Sequence, residues 1–299
     1  MEWQNIKGVI VSSITTFNAK GEVDEKALRE NWEYYLSRGA HAIGVLGTCA
    51  EDHLLNREER RRIVELARKV VKGKGFLVAG SGMIGTRETV DMTKLMEDAG
   101  ADVALVLAPF YQFPTEEGAI RHYKAVSEAV DIPIMVYNMP PITTNITPRM
   151  LERLCNETRH GWALKDSSRD IHQFIETVRL VGDKMAVGTG EDDLFMCQLL
   201  LGAQCGYLAG ANVAVDLEVG IYNAVKAGKI DEARALVLRL SPLMDAYMGP
   251  GFQANMKEMV RMLGRPAGDG ERLPLLPTVS AERKEILRKA LLQAGLLLE

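Results

Sequence analysis

Short apolar runs alternate with longer amphipathic stretches along most of this 299-residue chain. Each run is a few residues long, is rich in valine, isoleucine, leucine and alanine, and does not alternate apolar with polar positions. This pattern is typical of strands that are buried on both faces, as in a parallel sheet. The predicted strands cover residues 9–14, 42–46, 76–79, 103–107, 134–137, 162–165, 185–187 and 207–209.

The stretches between these runs have the periodicity of helices that bury one face. Several begin with a residue that caps helix N-termini: Asn56 precedes an acidic first turn, and Thr147 precedes a proline at the first helical position. The predicted helices cover residues 25–37, 57–72, 87–98, 116–130, 148–155, 171–181 and 193–201.

Eight buried strands separated by helices predict a closed (β/α)₈ barrel, the TIM barrel, rather than an open doubly wound sheet, which is the alternative. We expect residues 1–225 to form the barrel. Residues 226–299 are predicted to be a C-terminal helical segment with loops at Gly249-Pro250-Gly251 and at 264–270. In such a barrel the active site lies at the C-terminal ends of the strands.

Composition and charge exclude several classes of protein. A formal net charge of −4 provides no basic surface for nucleic acid. No apolar run is long enough to span a membrane, and the N-terminus lacks the features of a signal peptide. The four cysteines contain no Cys-x-x-Cys pair and the five histidines no zinc-binding spacing. We therefore expect a cytoplasmic protein with reduced thiols and no metal.

One motif points to a different chemistry. Residues 80–85 read Gly-Ser-Gly-Met-Ile-Gly, the spacing of a dinucleotide-binding turn. However, the motif follows the third predicted strand, and the next strand does not end in the acidic residue that would bind a ribose. We interpret the glycines as a tight turn that lets the chain approach its neighbours closely, with a nicotinamide enzyme as the alternative.

Lys165 ends the sixth predicted strand. Burial disfavours a charged ammonium group, and a lysine in such a place is a candidate nucleophile that forms an imine with a ketone. A lysine that reaches the surface or pairs with a carboxylate is the structural alternative.

Other strand ends carry groups that suit imine chemistry. Thr48 follows the second strand, Tyr111 the fourth and Tyr137 ends the fifth, while a Gly-Thr-Gly turn leads to Glu191 after the seventh. A tyrosine hydroxyl can move protons during imine formation, and backbone amides of a glycine-rich turn can hold a carboxylate. Each residue also has a structural interpretation, such as core packing for Tyr137, loop packing for Tyr111 or helix capping for Thr48.

Two segments, Tyr137-Asn138-Met139-Pro140 and Leu164-Lys165-Asp166-Ser167-Ser168, have the order and separation found in one family. On these residues the chain resembles the dihydrodipicolinate synthase and N-acetylneuraminate lyase superfamily of class I, pyruvate-type aldolases. The resemblance implies that Lys165 is the Schiff-base lysine and Tyr137 the general acid/base. It also implies that Thr48 belongs to the hydroxyl relay and the carboxylate pocket, and that Tyr111 crosses a subunit interface into the neighbouring site. Such enzymes use no cofactor and are usually tetramers built as dimers of dimers.

The chain departs from the family pattern at several positions. Cys49 and Ala50 replace a hydroxyl residue and a glycine, and Arg57 and Arg60 lie where lysine-inhibited synthases have histidines. Ile142 occupies the position at which the synthases carry an arginine for the second substrate's carboxylate. We therefore expect a Schiff-base aldolase or dehydratase acting on pyruvate, a 2-keto-3-deoxy sugar acid or a related 2-oxo acid.

The alternatives are 4-hydroxy-tetrahydrodipicolinate synthase, which condenses pyruvate with aspartate semialdehyde, and a catalytically silent regulatory barrel. The joint presence of Lys165, Tyr137 and Thr48 argues against a silent barrel. Glu191 and Asp192 are candidates for binding sugar hydroxyls, although an acidic helix N-terminus would also explain them. The residues expected to contact the substrate are Thr48, Cys49, Ser167, Gly190, Glu191, Asp192, Leu208 and Ile142.

Overall fold

The computed structural model describes residues 1–158, 160–249, 251–270, 272–276 and 278–298. Eight parallel strands form a closed barrel in sequential order, with the eighth paired to the first. This closure excludes an open doubly wound sheet. The strands are β1 (Gly8–Ser12), β2 (Ala42–Val45), β3 (Phe76–Gly80), β4 (Val103–Leu107), β5 (Ile134–Asn138), β6 (Trp162–Asp166), β7 (Ala186–Thr189) and β8 (Cys205–Leu208).

Helices follow the strands around the barrel and continue after it. They are α1 (Glu25–Ser37), α2 (Arg57–Val71), α3 (Thr86–Asp98), α4 (Glu116–Ser127), α5 (Pro148–Glu157), α6 (Ile171–Val181), α7 (Phe195–Leu200), α8 (Ala211–Lys226), α9 (Ile230–Tyr247), α10 (Phe252–Met262) and α11 (Ala281–Gln293). Within the described residues, none of these helices combines the length and hydrophobicity needed to cross a bilayer.

The predicted caps form at two of these helices. Asn56 and Glu59 make a reciprocal capping box at the start of α2, and Thr147 accepts a hydrogen bond from the backbone of Met150 at the start of α5. These contacts satisfy backbone N–H groups that have no partner within the helix. The chain therefore begins these helices where the sequence predicts.

The strands divide their side chains between two apolar clusters, because successive residues of a strand point to opposite faces. One cluster fills the barrel interior and includes Ile10, Met135 and Tyr207. The other lies between the barrel and its helices and includes Val136 and Leu164. The interior is thus a packed core, and only the side chains near its upper end can line a site.

Helices α9, α10 and α11 follow the barrel, with loops near 249–251 and 264–270 as predicted, although Pro250 lies outside the described residues. A buried ion pair joins Lys257 of α10 to Glu51 in the turn after β2. The C-terminal segment is therefore fixed to a loop at the upper end of the barrel. A domain boundary between residues 225 and 226 stays a prediction.

The glycine-rich turn at 80–85 permits close backbone packing. A β-carbon on Gly80 would lie 1.8 Å from the carbonyl oxygen of Leu46, and one on Gly82 would lie 2.6 Å from the amide nitrogen of Leu107. Real β-carbons do not approach other atoms so closely, and both positions therefore require glycine. This agrees with the interpretation of the motif as a tight turn.

Candidate active site

Lys165 and Tyr137 lie side by side at the upper end of the barrel interior. The register of β5 and β6 pairs these two residues directly, and the ammonium nitrogen of Lys165 is 3.9 Å from the centroid of the Tyr137 ring. Lys165 is only 4% exposed and Tyr137 only 5%. A lysine in this position can react only with a molecule that enters the barrel mouth.

A hydrogen-bond network holds β5 and β6 in place through Asn138 and Asp166, the residues that follow Tyr137 and Lys165. The Asn138 amide donates hydrogen bonds to Asp166 Oδ1 at 3.0 Å and to Asn145 Oδ1 at 3.1 Å. Ser168 Oγ donates to Asp166 Oδ2 at 2.9 Å. Burial raises the pKa of the Asp166 carboxyl, and these hydrogen bonds oppose that effect. The sequence analysis gave Asn138 and Asp166 no role, yet their network fixes the backbone on which Lys165 and Tyr137 sit.

Gly190 makes room for the lysine. A β-carbon at this position would lie 2.2 Å from Ser167 Oγ and 2.7 Å from Lys165 Cε. Any larger residue after β7 would therefore displace the Lys165 side chain. Gly190 therefore provides space for Lys165, and its predicted contact with the substrate stays a prediction.

Thr48 begins a short 3₁₀ turn after β2, which brings its hydroxyl towards Tyr137. The two hydroxyl oxygens are 3.5 Å apart, and Tyr137 Oη also lies 3.2 Å from Met139 Sδ. The neighbouring Cys49 thiol is buried and accepts a hydrogen bond from Ser12 Oγ at 3.2 Å. Burial raises the pKa of the Cys49 thiol, which therefore stays protonated and weakly polar at neutral pH.

These residues line a cavity of about 240 Å³ at the barrel mouth. Six of the predicted contact residues line it together with Lys165 and Tyr137. They are Thr48, Cys49, Ser167, Gly190, Glu191 and Asp192. The cavity is also lined by residues that the sequence analysis did not select: Ser12, Met139, Tyr207, Ala209, Met248, Gly249 and Phe252.

A second cavity of about 250 Å³ adjoins the first, and Thr48 and Tyr137 line both. Ile142 lines this second cavity with Phe110, Asp52 and His53. Among the described residues, no lysine or arginine lines it. Lys165 therefore lies in one chamber, and a second chamber, lined mainly by apolar residues together with Asp52 and His53, extends beyond Tyr137.

Glu191 and Asp192 differ in how their carboxylates are held. Glu191 Oε2 accepts a hydrogen bond from Arg169 Nη1 at 2.7 Å. Asp192 Oδ1 accepts one from the backbone of Gly210 at 2.7 Å, which turns that oxygen towards the start of α8. Burial raises the pKa of both carboxyl groups. Their binding to sugar hydroxyls stays a prediction.

The structure places Leu208 outside the cavity, which corrects the prediction that it contacts substrate. Its side chain belongs to the cluster between the barrel and the helices, because β8 turns Tyr207 inwards and the next residue outwards. The predicted strand began at Tyr207, two residues later than β8 does, so its alternation gave no guide to the inward residue. Tyr207 and Ala209 occupy the places expected for Leu208.

Tyr111 does not line the cavity of its own chain. It is 83% exposed and has a φ of +71°, a left-handed conformation that is costly for a tyrosine. Phe113, two residues further, is 65% exposed. That Tyr111 crosses a subunit interface into a neighbouring site stays a prediction.

In the described part of the chain, no three metal-binding side chains come together. The thiols of the four cysteines are unpaired. The groups assembled at the mouth include the amine of Lys165 and the hydroxyls of Tyr137 and Thr48, which would suit covalent imine chemistry.

Comparisons with known proteins find relatives over nearly the whole chain. The model of the dihydrodipicolinate synthetase family matches residues 5–294. The 4-hydroxy-tetrahydrodipicolinate synthase of Thermodesulfovibrio yellowstonii is 35% identical over 97% of this chain and 99% of that protein. Dihydrodipicolinate synthase from Aquifex aeolicus has a crystal structure that matches with a TM-score of 0.91, at 33% identity over 98% of this chain and 100% of that one.

A third match is a prophage protein of Escherichia coli from the dihydrodipicolinic acid synthase family, whose structure was solved in complex with pyruvate. Its TM-score is 0.93, at 26% identity, covering 98% of this chain and 99% of that chain.

Proposed function

Because the chain belongs to the dihydrodipicolinate synthetase family, we propose that Lys165 forms a Schiff base with pyruvate or a related 2-oxo acid. The chain is an enzyme, a lyase that uses a lysine imine. The observation that carries the assignment of Lys165 is its burial in the cavity within 3.9 Å of the Tyr137 ring.

Imine formation needs an amine and a proton carrier. The neutral amine of Lys165 attacks the ketone carbon, and the resulting carbinolamine loses its hydroxyl as water. The Tyr137 hydroxyl is the proposed group that donates and recovers protons during these steps, with Thr48 3.5 Å away as its relay. The imine then serves as an electron sink for forming or breaking a bond at the adjacent carbon.

The residues that line the second cavity favour a particular class of second substrate. Ile142 provides no charge there, and no lysine or arginine lines this chamber among the described residues. A carboxylate without a partner in a partly desolvated chamber is costly. We therefore favour uncharged, hydroxylated aldehydes as partners of pyruvate, or the matching 2-keto-3-deoxy sugar acids as substrates for cleavage or dehydration.

4-Hydroxy-tetrahydrodipicolinate synthase is the second candidate, and the names of the relatives favour it. It would condense pyruvate with aspartate semialdehyde. This candidate requires that a group other than Ile142 neutralise the second carboxylate.

We also propose that the chain acts as a homo-oligomer, a tetramer built from dimers. Support comes from the exposed aromatic loop around Tyr111, which has no catalytic contact within its own subunit.

Borohydride trapping tests the proposed Schiff base. The protein is incubated with pyruvate and borohydride, and intact mass should show one reduced pyruvyl group per chain. Lys165→Ala should abolish the adduct. Lys184→Ala is the control, since this lysine contacts Asn156 on the outer surface and should leave the adduct unchanged. An adduct that persists in Lys165→Ala would refute the assignment.

A further inference from the structure

The hydroxyl of Tyr207 is a buried polar group in the Lys165 cavity that has no role in the proposed chemistry. Tyr207 lies on β8, is 1% exposed and lines the cavity that contains Lys165. Its oxygen has no hydrogen-bond partner among the described residues. Leaving a buried hydroxyl unpaired is costly, and native proteins usually do so only where a ligand, an ion or water completes the pairing.

Two glycines of the β2 region provide the space for this hydroxyl. A β-carbon on Gly44 would lie 2.1 Å from Tyr207 Oη, so only glycine fits opposite it. A β-carbon on Gly47 would lie 3.5 Å from the same oxygen and 3.9 Å from Ser12 Oγ. The hydroxyl therefore extends from β8 past β1 to Gly44 of β2, and the turn that begins after Gly47 lies beside it.

The ring of Tyr207 also contacts the nucleophile. The Lys165 nitrogen is 4.3 Å from the Tyr207 ring centroid and 3.9 Å from that of Tyr137. The lysine thus lies close to two aromatic rings, one with its hydroxyl beside Thr48 and the other with its hydroxyl beside Gly47. A 2-oxo acid attached to Lys165 has its carboxylate bonded directly to the imine carbon, within this small space.

We propose that the Tyr207 hydroxyl donates a hydrogen bond to the carboxylate of the 2-oxo acid that Lys165 captures. This inference rests on the proposed function and adds a substrate-binding residue to it. The hydroxyl pairs when substrate is bound, and the unliganded protein carries the cost of its unpaired state.

The chemistry of the neighbouring groups favours this role. Burial raises the pKa of Tyr207 well above its usual value, so the hydroxyl stays protonated and acts as a donor. Cys49 is a weak donor, and its sulfur already accepts the Ser12 hydroxyl. A hydroxyl that extends from β8 to β2, beside this turn, would provide the strong donor that the cysteine cannot.

Tyr207→Phe tests the proposal because it removes only the hydroxyl and keeps the ring beside Lys165. Hydrogen bonds to charged groups contribute enough to change affinity by about tenfold or more. We expect the pyruvate concentration that gives half-maximal borohydride trapping to rise by at least about tenfold in this variant. The yield at saturating pyruvate should be retained. The thermal midpoint without pyruvate should stay the same or rise, because the unpaired hydroxyl is gone.

Tyr123→Phe is the matched control. Its hydroxyl is equally buried but donates to the Val106 carbonyl at 3.2 Å, away from the cavity. This variant should lose thermal stability and keep the half-saturating pyruvate concentration of the parent. Tyr207→Phe is therefore expected to weaken pyruvate binding without loss of thermal stability, and Tyr123→Phe to lower thermal stability without weakening pyruvate binding.

The outcomes separate this inference from the proposed function. Equal half-saturation in the parent and Tyr207→Phe overturns the role of Tyr207 while the Schiff base stands. A weaker affinity accompanied by a lower thermal midpoint also overturns it, since that result indicates a structural role. Absence of any adduct in the parent protein instead refutes the proposed function.

Discussion

Tyr137 and Lys165 are paired residues of adjacent strands, and the lysine nitrogen lies 3.9 Å from the tyrosine ring centroid. The pairing follows from strand register, which places the Cα atoms of the two residues side by side on β5 and β6. Asn138 and Asp166, the next pair along, are joined by a hydrogen bond of 3.0 Å. Such support is needed for catalysis that depends on a fixed geometry.

Tyr137→Phe should lower kcat by about 10²- to 10⁴-fold, the usual contribution of a general acid or base. The phenylalanine keeps the ring beside Lys165 and removes the hydroxyl that lies 3.5 Å from Thr48 Oγ1. The measurement is steady-state turnover with the best 2-oxo acid substrate, and circular dichroism checks the fold. Tyr34→Phe on α1 is the control and should retain full activity. A loss much smaller than tenfold would restrict Tyr137 to packing.

The fold was predictable because its signals are local. A run of buried β-branched residues and a capped amphipathic stretch each specify their element without distant information. The bounds of α1 and α6 were predicted to the residue. The eighth strand was placed two residues late, since Cys205-Gly206 lacks the bulky apolar residues that mark the other strands.

The candidate site was only partly predictable. Residues at strand ends, such as Lys165 and Thr48, were accessible to sequence reasoning because the barrel brings these ends together. Met248 and Phe252 were not, since they reach the cavity from the C-terminal segment through packing that has no local signature. Tyr207 was missed because the predicted strand 207–209 is apolar at all three positions and therefore does not indicate which residue points inwards.

A buried acid pair beside the cavity predicts an unusual pH dependence of stability. A β-carbon on Gly210 would lie 2.7 Å from Asp192 Oδ1 and 3.1 Å from Glu218 Oε1, so the two carboxyl groups converge there. Burial, and then the neighbouring Asp192, raise the pKa of Glu218 well above its usual value. The folded state therefore binds a proton that the unfolded state releases above about pH 4.5, and this contribution to stability falls as pH rises.

Glu218→Gln removes this titration and should be more stable than the parent near pH 8. The difference in unfolding free energy should grow between pH 5 and 8 by up to about 1.4 kcal/mol per pH unit, measured by urea denaturation. Glu176→Gln is the control. Arg179 lowers the pKa of Glu176. The difference in unfolding free energy between Glu176→Gln and the parent should therefore be constant between pH 5 and 8. A flat difference for Glu218→Gln would show that Glu218 is ionised in the folded protein.

The exposed loop around Tyr111 predicts a subunit contact on which activity depends. Tyr111 and Phe113 are 83% and 65% exposed, and aromatic residues are enriched in protein interfaces. Tyr111→Glu should shift the sedimentation coefficient towards a smaller species and reduce kcat/KM at least tenfold. Ile286→Glu, at an exposed apolar position on α11, should change neither. A fully active monomeric parent would refute the shared site.

The last prediction concerns the second substrate and depends on Ile142. This residue is 48% exposed and lines the chamber beyond Tyr137, where no lysine or arginine is present among the described residues. A substrate carboxylate placed there would lack the bidentate cation that it needs. We expect kcat/KM for aspartate semialdehyde to be well below that for glyceraldehyde, glycolaldehyde or the matching 2-keto-3-deoxy acids.

Ile142→Arg provides the converse test, because it restores a cation at this position. It should raise kcat/KM for aspartate semialdehyde and leave borohydride trapping of pyruvate unchanged, since Ile142 does not line the Lys165 chamber. The readout is the ratio of kcat/KM values for the charged and uncharged aldehydes in the parent and the variant. If the parent already condenses aspartate semialdehyde as efficiently as its best sugar-derived substrate, another cation neutralises the carboxylate. The enzyme is then a 4-hydroxy-tetrahydrodipicolinate synthase, as its relatives are named.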